Sequence, residues 1–337
     1  MDALDLRILR ELGMEPFVGW GQRPRGLKTS DVARRLGVGE HLVKDRIQRM
    51  TEAGVIVGYQ LMPNLRHCGQ ALTVCHLESA TVPDAKRVSR LADVDGFDRV
   101  VWFLDSGLCI NLSHASDAER KRRIAILARL VDFDGTPKVL YTIDFPEVGR
   151  SLTELDWRII RALAPNARRP IQEVAKGIGV TTKTVRTRLN RMREEGSVDE
   201  YAVVDFGKLD GVYPFQMAVW FEPGADPTAK LMAAFVDRHL ADFTPPSQEA
   251  YSPFMLRIFA YTPAEVQALV RDALDVPGVE RAEAMVPTGA WVNQGWMLEL
   301  LDAHAPAPVP STHPQPRKKE DAGRDASLAR EVAVQDH

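Results

Sequence analysis

A dense run of cationic and polar side chains lies between Thr181 and Arg193, and no acidic residue interrupts it. Guanidinium, ammonium, amide and hydroxyl donors are the groups that bind phosphate oxygens and base edges. The run therefore predicts contact with double-stranded DNA, provided that these side chains share one exposed surface. The candidate contacts are Thr182, Lys183, Thr184, Arg186, Thr187, Asn190 and Arg191.

Other residues that could carry chemistry form weaker patterns. The densest group of possible metal ligands is His67-Cys68 with Cys75-His76, but adjacent residues of a strand point to opposite faces, and no second pair has zinc-like spacing. We therefore expect no metal site and no cofactor, and we expect the cysteines to be buried, reduced thiols. Because phosphate-binding loops, nucleophile elbows and dinucleotide fingerprints are missing from the sequence, no catalytic residue is predicted.

The elements that must position the cationic run occur twice along the chain. The spacing is kept from copy to copy, except that the first copy is nine residues longer between Gly13 and Leu27. A surface loop there would tolerate the insertion. The matching segments are 4–10 with 155–161, 31–33 with 173–175, 37–38 with 179–180, and 46–50 with 188–192.

Each copy predicts three helices followed by a strand. In the second copy Gly179 is suited to a left-handed helix end, and Thr181 is a good N-cap for the third helix. Val185, Leu189 and Met192 then fall at i, i+4 and i+7, which gives that helix one apolar face. This is the pattern of a winged helix-turn-helix, whose second motif helix enters the major groove.

A segment of alternating strand-like and helix-like patterns follows each copy. The first has the order βαββαβ, which is typical of a ferredoxin-like sheet with both helices on one face, and the second repeats it with a poor second strand. The fold class is therefore α+β, in two tandem copies. The predicted divisions are winged helix-turn-helix domains at 1–62 and 151–207, α/β regulatory domains at 63–150 and 211–302, and a disordered tail at 303–337.

Composition restricts the classes of protein. The chain has 45% hydrophobic and 26% charged residues, typical of globular proteins. No apolar run approaches the roughly 20 residues that cross a bilayer, and the first residues do not resemble a signal peptide. We therefore expect a cytoplasmic protein with no membrane partner. The net charge of −3 gives no overall attraction to DNA, so the local distribution of charge matters.

Each half of the sequence resembles the leucine-responsive regulator/AsnC (Lrp/AsnC) family of transcription factors. The residues that carry the resemblance are the opening Leu-Asp-x-x-Ile-Leu pattern, the turns at 37–38 and 179–180, the Arg-φ-x-Arg-Met runs and the exit at 54–56. The resemblance implies a DNA-binding transcriptional regulator under possible small-molecule control. Family members dimerise through the α/β domain, so this chain looks like a fused dimer. Its two regulatory domains can pair with each other or with another chain in a homo-oligomer.

The first copy presents a weaker DNA surface than the second. His41, Lys44 and Arg49 are candidate contacts, but Glu40 and Asp45 lie on the same helix. Arg168 and Arg169 are candidates for phosphate contacts. Arg46 and Arg188 have an alternative structural role, namely pairing with Asp5 and Asp156 within each copy.

Two other interpretations remain open. Siroheme decarboxylases resemble the same domain pair, but such an enzyme needs histidines in a large pocket. His76 and His114 lie in predicted strands of the first α/β domain, and the second domain offers only His239 on a helix, with no His-x-Tyr-x-Arg cluster. We therefore expect that the chain is not an enzyme. An effector-sensing protein that does not bind DNA is the remaining alternative, and the sequence does not identify the effector.

Overall fold

The computed structural model describes residues 1–13, 28–78, 84–104, 107–143, 145–235, 240–244, 253–293 and 295–305. The segment that holds the predicted insertion of the first copy lies outside these ranges, as does His239. None of the helices within the described ranges has the length and apolar character that crossing a bilayer requires.

Three helices and a strand form the first unit of the fold. Asp2 and Asp5 cap the first helix in a reciprocal capping box. Gly37 ends the second helix at a φ of 68°, a left-handed conformation that favours glycine. Ile8 and Val43 are fully buried between the helices. The elements are α1 (Ala3–Leu12), α2 (Thr29–Leu36), α3 (Glu40–Glu52) and β1 (Ile56–Pro63).

The second unit repeats this arrangement. Thr153 and Asp156 form its capping box, and Gly179 has a φ of 73°. Thr181 accepts a hydrogen bond from the backbone of Thr184 and so caps the third helix, as the sequence predicts. The elements are α6 (Glu154–Leu163), α7 (Ile171–Ile178), α8 (Thr182–Glu194) and β6 (Val198–Val204).

The strands that leave the two units pair with each other. β1 and β6 run antiparallel, with Tyr59 opposite Ala202 and Pro63 opposite Val198, and they form a separate two-stranded sheet. Each strand had been interpreted as a wing or an exit strand of its own unit. Because their backbone hydrogen bonds are made across the repeat, this ribbon joins the two halves of the chain.

The first large sheet follows β1, and its helices lie on one face. Leu91 and Leu127 from these helices pack with Val100 and Ile110 of the sheet. The strand order is β11-β3-β4-β2-β5, so a strand from the end of the described chain completes this sheet. The elements are β2 (Ala71–Leu77), α4 (Ala85–Leu91), β3 (Phe97–Phe103), β4 (Gly107–His114), α5 (Asp117–Leu130), β5 (Lys138–Ile143) and β11 (Pro287–Val292).

The second large sheet has the order β10-β7-β9-β8. The sequence pattern predicts a helix over 228–240, but the observed helix ends at Phe235 and Leu240 already belongs to a strand. That strand is the one whose signal was poor in the sequence. The elements are β7 (Tyr213–Phe221), α9 (Thr228–Phe235), β8 (Leu240–Thr244), β9 (Phe254–Ala260), α10 (Pro263–Leu274) and β10 (Val279–Met285).

After β10 the chain crosses back to the first sheet. β11 pairs antiparallel with β3, and α11 (Trp296–His304) follows. We call β11 and α11 together the strap. The tail predicted at 303–337 therefore starts too early, since α11 continues to His304, and residues 306–337 lie outside the described ranges.

The two large sheets share one apolar core. Leu72 and Leu140 of the first sheet cluster with Met255 and Met285 of the second, and Trp296 of the strap joins them. The sequence left open whether the two α/β domains pair with each other or with another chain. In the structure, the two sheets pack against each other within the chain.

Candidate nucleic-acid interface and the neighbouring cavity

The two faces of α8 differ in composition. Val185, Leu189 and Met192 are buried in the core of the second unit, and the opposite face is exposed. α8 carries five cationic side chains and one carboxylate, whereas α3 carries three of each. Of these two helices, only α8 therefore has a net positive charge. Its exposed polar residues before the final turn are Lys183, Arg186, Thr187 and Asn190, with Thr182 and Thr184 partly exposed at its start.

Two arginines of α8 are bound inside the fold. The Asp156 carboxylate, which is 0% exposed, accepts hydrogen bonds from Arg188 at 3.0 Å and from Arg191 at 2.9 and 3.0 Å. Burial alone would raise the pKa of the Asp156 carboxyl. Hydrogen bonds from Thr153 and Arg188 and the charge of Arg191 outweigh that effect, so the pKa lies below its usual value.

This pairing bears on one predicted contact and on one alternative. Arg191 remains a predicted DNA contact, but its guanidinium binds Asp156 within the fold and its side chain is 28% exposed. Arg188 takes the structural role that the sequence left open. Arg46 does the same in the first unit, where it pairs with Asp2 and with Asp5, the latter at 3.1 Å.

The exposed surface of α3 carries mixed charge. His41, Lys44 and Arg49 are exposed as predicted, but Glu40 and Asp45 are exposed beside them. A phosphate backbone that approached this helix would meet carboxylates as well as cations.

Arg168 and Arg169 lie in the turn between α6 and α7. The guanidinium of Arg168 stacks 3.7 Å from the ring centroid of Tyr59 and lies 3.7 Å from Glu200. Arg169 lies 3.5 Å from Glu173. Both arginines are therefore engaged locally while remaining exposed to solvent.

The histidines and cysteines that were weighed as ligands are separated or buried. Within the described residues, no group of three or more His, Cys, Asp or Glu side chains could hold a metal ion. His114 is buried with Nε2 2.8 Å from the Thr73 hydroxyl, and burial lowers its pKa. Burial raises the pKa of the Cys68 and Cys75 thiols to about 12.

A cavity of about 720 Å³ lies between the β1–β6 ribbon, the strap, β3 of the first sheet and the inner strands β7 and β9 of the second sheet. Small-molecule sites typically have volumes of roughly 300–1,000 Å³. Its polar lining includes Asp98, Arg99 and Arg257, together with Gln60 and Gln216. No histidine is found among the described lining residues.

One buried carboxylate organises the wall of this cavity. Asp98 is 2% exposed and accepts hydrogen bonds from Nε of Arg99 at 2.7 Å and from the indole N–H of Trp296 at 2.8 Å. The backbone carbonyl of Asp98 accepts a hydrogen bond from the backbone N–H of Asn293 at 2.7 Å. Asp98 therefore holds the first turn of α11 and the residue that follows β11 to the cavity wall, while β11 itself pairs along β3.

The sequence predicts neither the cavity nor the strap. The signals that it offers are the isolated Trp291 and Trp296, since the alternating exposure along 287–292 is visible only in the structure. Neither signal indicates which sheet the strand joins.

Comparison with known proteins first defines the class of the second unit. Residues 152–193 match the AsnC-type helix-turn-helix domain family, so the chain carries a helix-turn-helix of this type, and the predicted Lrp/AsnC resemblance is confirmed for that segment. The match includes α6, α7 and nearly all of α8. No curated protein sequence matches the chain significantly.

Solved structures extend the comparison to the rest of the chain. The crystal structure of the siroheme decarboxylase NirDL is similar with a TM-score of 0.53 and 14% identity, over 89% of this chain and 98% of that chain. Its complex with an iron-uroporphyrin III analogue gives 0.53 and 15%, over 88% and 98%. AsnC of E. coli matches 42% of this chain and 94% of its own, with a TM-score of 0.34 and 18% identity. At these identities the NirDL likeness shows the fold alone.

These comparisons correct the expectation that the chain is not an enzyme. That expectation was wrong as stated, because the fold that matches nearly the whole chain is that of an enzyme. The described structure is a mixed α+β fold with a regulator-like helix-turn-helix, and an enzyme built on it is plausible.

Proposed function

We propose that the protein is a transcriptional regulator that binds double-stranded DNA through α8. The observation that carries the proposal is the exposed cationic face of this helix. Lys183 and Arg186 project from it, and neither forms an ion pair or hydrogen bond with another side chain in the part of the chain that the structure describes. Exposed cations on the second helix of a helix-turn-helix are placed to meet the DNA backbone and major groove.

The buried pairs of α8 support this proposal by fixing the orientation of the helix. Arg188 and Arg191 hold α8 to α6, so the main contact residues are the ones that remain outside this pairing. An arginine can bind guanine through O6 and N7, and an asparagine can bind adenine through N6 and N7. We assign base contacts to Arg186 and Asn190, and phosphate contacts to Lys183 with the threonine hydroxyls at the start of the helix.

The proposal extends to the arrangement of the chain. Two helix-turn-helix units, each followed by a ferredoxin-like regulatory domain, would present one strongly and one weakly DNA-binding helix within a single-chain pseudo-dimer. The shared core of the two sheets supports this view. His41, Lys44 and Arg49 of α3, with Arg168 and Arg169, would then make secondary contacts.

A binding titration against mixed genomic fragments across a salt series tests the proposal. Lys183→Ala should weaken binding to all sequences and lower the slope of log K against log salt by about 1. Arg186→Ala should cost about 1–3 kcal/mol and relax selection at one base pair. Lys44→Ala with Arg49→Ala is the matched control on α3 and should have the smaller effect. Absence of fragment-selective binding by the wild type would refute the proposal.

A second candidate function is a decarboxylase that acts on a tetrapyrrole. The observations that favour it are the NirDL-like fold over 89% of the chain and a ligand-sized cavity lined by Arg99 and Arg257. The two arginines could pair with the carboxylates of such a substrate. The cavity offers no histidine among its described lining residues, so a tetrapyrrole iron would find no imidazole ligand there.

Spectroscopic titration with iron-uroporphyrin III, followed by mass spectrometry of siroheme incubated with the protein, tests this candidate. A tight absorbance change that is lost in Arg99→Ala, together with loss of carboxyl groups from siroheme, would establish it. An unchanged tetrapyrrole spectrum and an unchanged substrate mass would remove it.

A further inference from the structure

The strap lies against two parts of the molecule at once. Trp296, Met297 and Leu298, in the first turn of α11, line the cavity. Leu301 is fully buried in the core of the second helix-turn-helix. A helix of nine residues therefore touches the cavity at one end and the candidate DNA-binding unit at the other.

The contacts between α11 and α6 are specific as well as apolar. Arg161 binds Asp302 through two hydrogen bonds, from Nε at 2.5 Å and from Nη2 at 3.2 Å. The rings of Trp157 and His304 stack, with centroids 4.6 Å apart and planes inclined by 16°. A displacement of α11 would therefore be transmitted to α6.

α6 in turn holds α8. Asp156 lies on α6 and accepts the hydrogen bonds from Arg188 and Arg191. The cavity, α11, α6 and α8 thus form one continuous series of contacts. In the first unit, no described helix occupies the position that α11 takes against α6; Phe259 of the second sheet packs in that core instead.

We propose that the cavity is an effector site for an uncharged, largely apolar small molecule, and that α11 transmits its occupancy to the second helix-turn-helix. The ligand class follows from the wall. Asp98 and Arg99 neutralise each other, the other two charged lining residues, Asp205 and Arg257, are of opposite sign, and Leu61, Met62 and Phe215 supply apolar surface. The effect on DNA affinity rests on the proposed function, whereas the coupling between the cavity and α6 does not.

Nile red, an uncharged polycyclic dye, is a suitable probe of the site. Its fluorescence should rise with the wild-type protein and with Ala290→Ser. It should not rise with Ala290→Trp, whose ring would enter the cavity from the exposed face of β11. Equal dye binding by the Ala290→Trp variant, or no binding by the wild type, would overturn the site. Competition by iron-uroporphyrin III would overturn the uncharged ligand class.

Hydrogen–deuterium exchange tests the coupling without DNA. Saturation with the dye should change amide exchange in α6 by about five-fold or more, with α1 as the internal reference. The double substitution Arg161→Ala/His304→Ala should keep dye affinity and lose the response of α6. Glu154→Ala, an exposed position on the same helix, should retain it. A response that is equal in α1 and α6, or one that survives the double substitution, would overturn the coupling.

DNA binding then provides the reciprocal measurement. If the dye changes the DNA affinity by a given factor, DNA must change the dye affinity by the same factor. Absence of DNA binding with an intact α6 response would remove the proposed function and leave the coupling standing. DNA binding that is indifferent to the dye, despite the α6 response, would show that the coupling stops before α8 and would overturn this part of the inference.

Discussion

Replacement of Asp156 by Asn tests the structural reasoning about α8 most directly. The carboxylate has no solvent exposure, and it accepts hydrogen bonds from Thr153 as well as from Arg188 and Arg191. An asparagine has nearly the same shape but only one acceptor oxygen, and its amide group would face donors. The substitution therefore removes the charge and half of the acceptors without leaving a cavity.

The expected loss of stability depends on how far Arg188 and Arg191 are left without a partner. Breaking a buried ion pair by removing one partner costs about 3–5 kcal/mol. The side chains of Arg188 and Arg191 are each 28% exposed, so they can recover part of their hydration. We therefore expect a loss near the lower limit, about 3 kcal/mol.

The first unit provides a matched control. Asp5 occupies the equivalent position, but Arg46 also binds Asp2, and it keeps that partner when Asp5 is replaced. Asp5→Asn should therefore cost only about 1 kcal/mol, mostly through its part in the capping box. Urea unfolding, with hydrogen exchange to localise the loss to α6–α8, measures both. Equal losses in the two variants would refute the argument that burial and the double arginine pairing set the cost.

The pairing of Asp156 with Arg188 and Arg191 also predicts that the stability of the fold depends on pH. The pKa of Asp156 is lowered in the folded protein. Its contribution to folding stability is therefore complete above the unfolded-state pKa, roughly 3.9, and is lost as the pH falls through the folded-state pKa. The difference in stability between wild type and Asp156→Asn should be constant at neutral pH and should shrink below about pH 4. A difference that grew on acidification would contradict the assignment.

Three further predictions concern other parts of the fold. Gly179→Ala should destabilise the protein by about 1 kcal/mol, because φ at this position is 73°. Gly177→Ala lies inside α7, where a new Cβ would meet no atom within 4 Å, and should stabilise the protein by about 0.5–1 kcal/mol. The urea midpoints of the two variants should therefore shift in opposite directions. Gly289→Ala should cost roughly 1–3 kcal/mol, since the new Cβ would lie 2.3 Å from the Trp102 indole, and faster amide exchange in β11 would show that the strap is displaced. Cys75 and Cys109 are buried, and burial raises the pKa of both thiols, so they should resist Ellman's reagent at pH 8 and react in urea; rapid labelling of either in the native protein would contradict its burial.

The sequence predicts the helical units well because their signals are local. Thr181 as a cap, Gly179 as a helix end and the spacing of Val185, Leu189 and Met192 each depend on residues within a few positions of one another. The alternative role of Arg188 was also visible, since the repeat placed an acid at the same position of each first helix. The sequence does not show which cations of α8 remain exposed. Arg188 and Arg191 both reach the Asp156 carboxylate only after α6 and α8 have packed against each other.

The elements that sequence reasoning missed depend on distant partners. β11 lies in a sheet whose other strands come from residues 71–143, and its register is set by β3, almost two hundred residues away. β8 has five residues and follows α9 closely, so a helical pattern extended through it. The cavity belongs to neither repeat alone, because β1 and β6 line it together. The pattern of either half alone therefore does not predict a site that residues from both halves form together.

The two helical units differ at the third helix and at the residues that hold it. α8 carries a cationic excess, is held by two arginines on a fully buried carboxylate of α6, and is connected through α6 to α11. α3 has balanced charge, and it is held by one arginine between two partly exposed carboxylates. The contact residues proposed for α8 therefore lie on a more positive and more firmly held helix than those of α3. This difference is the reason to expect the larger loss of DNA binding from substitutions in α8.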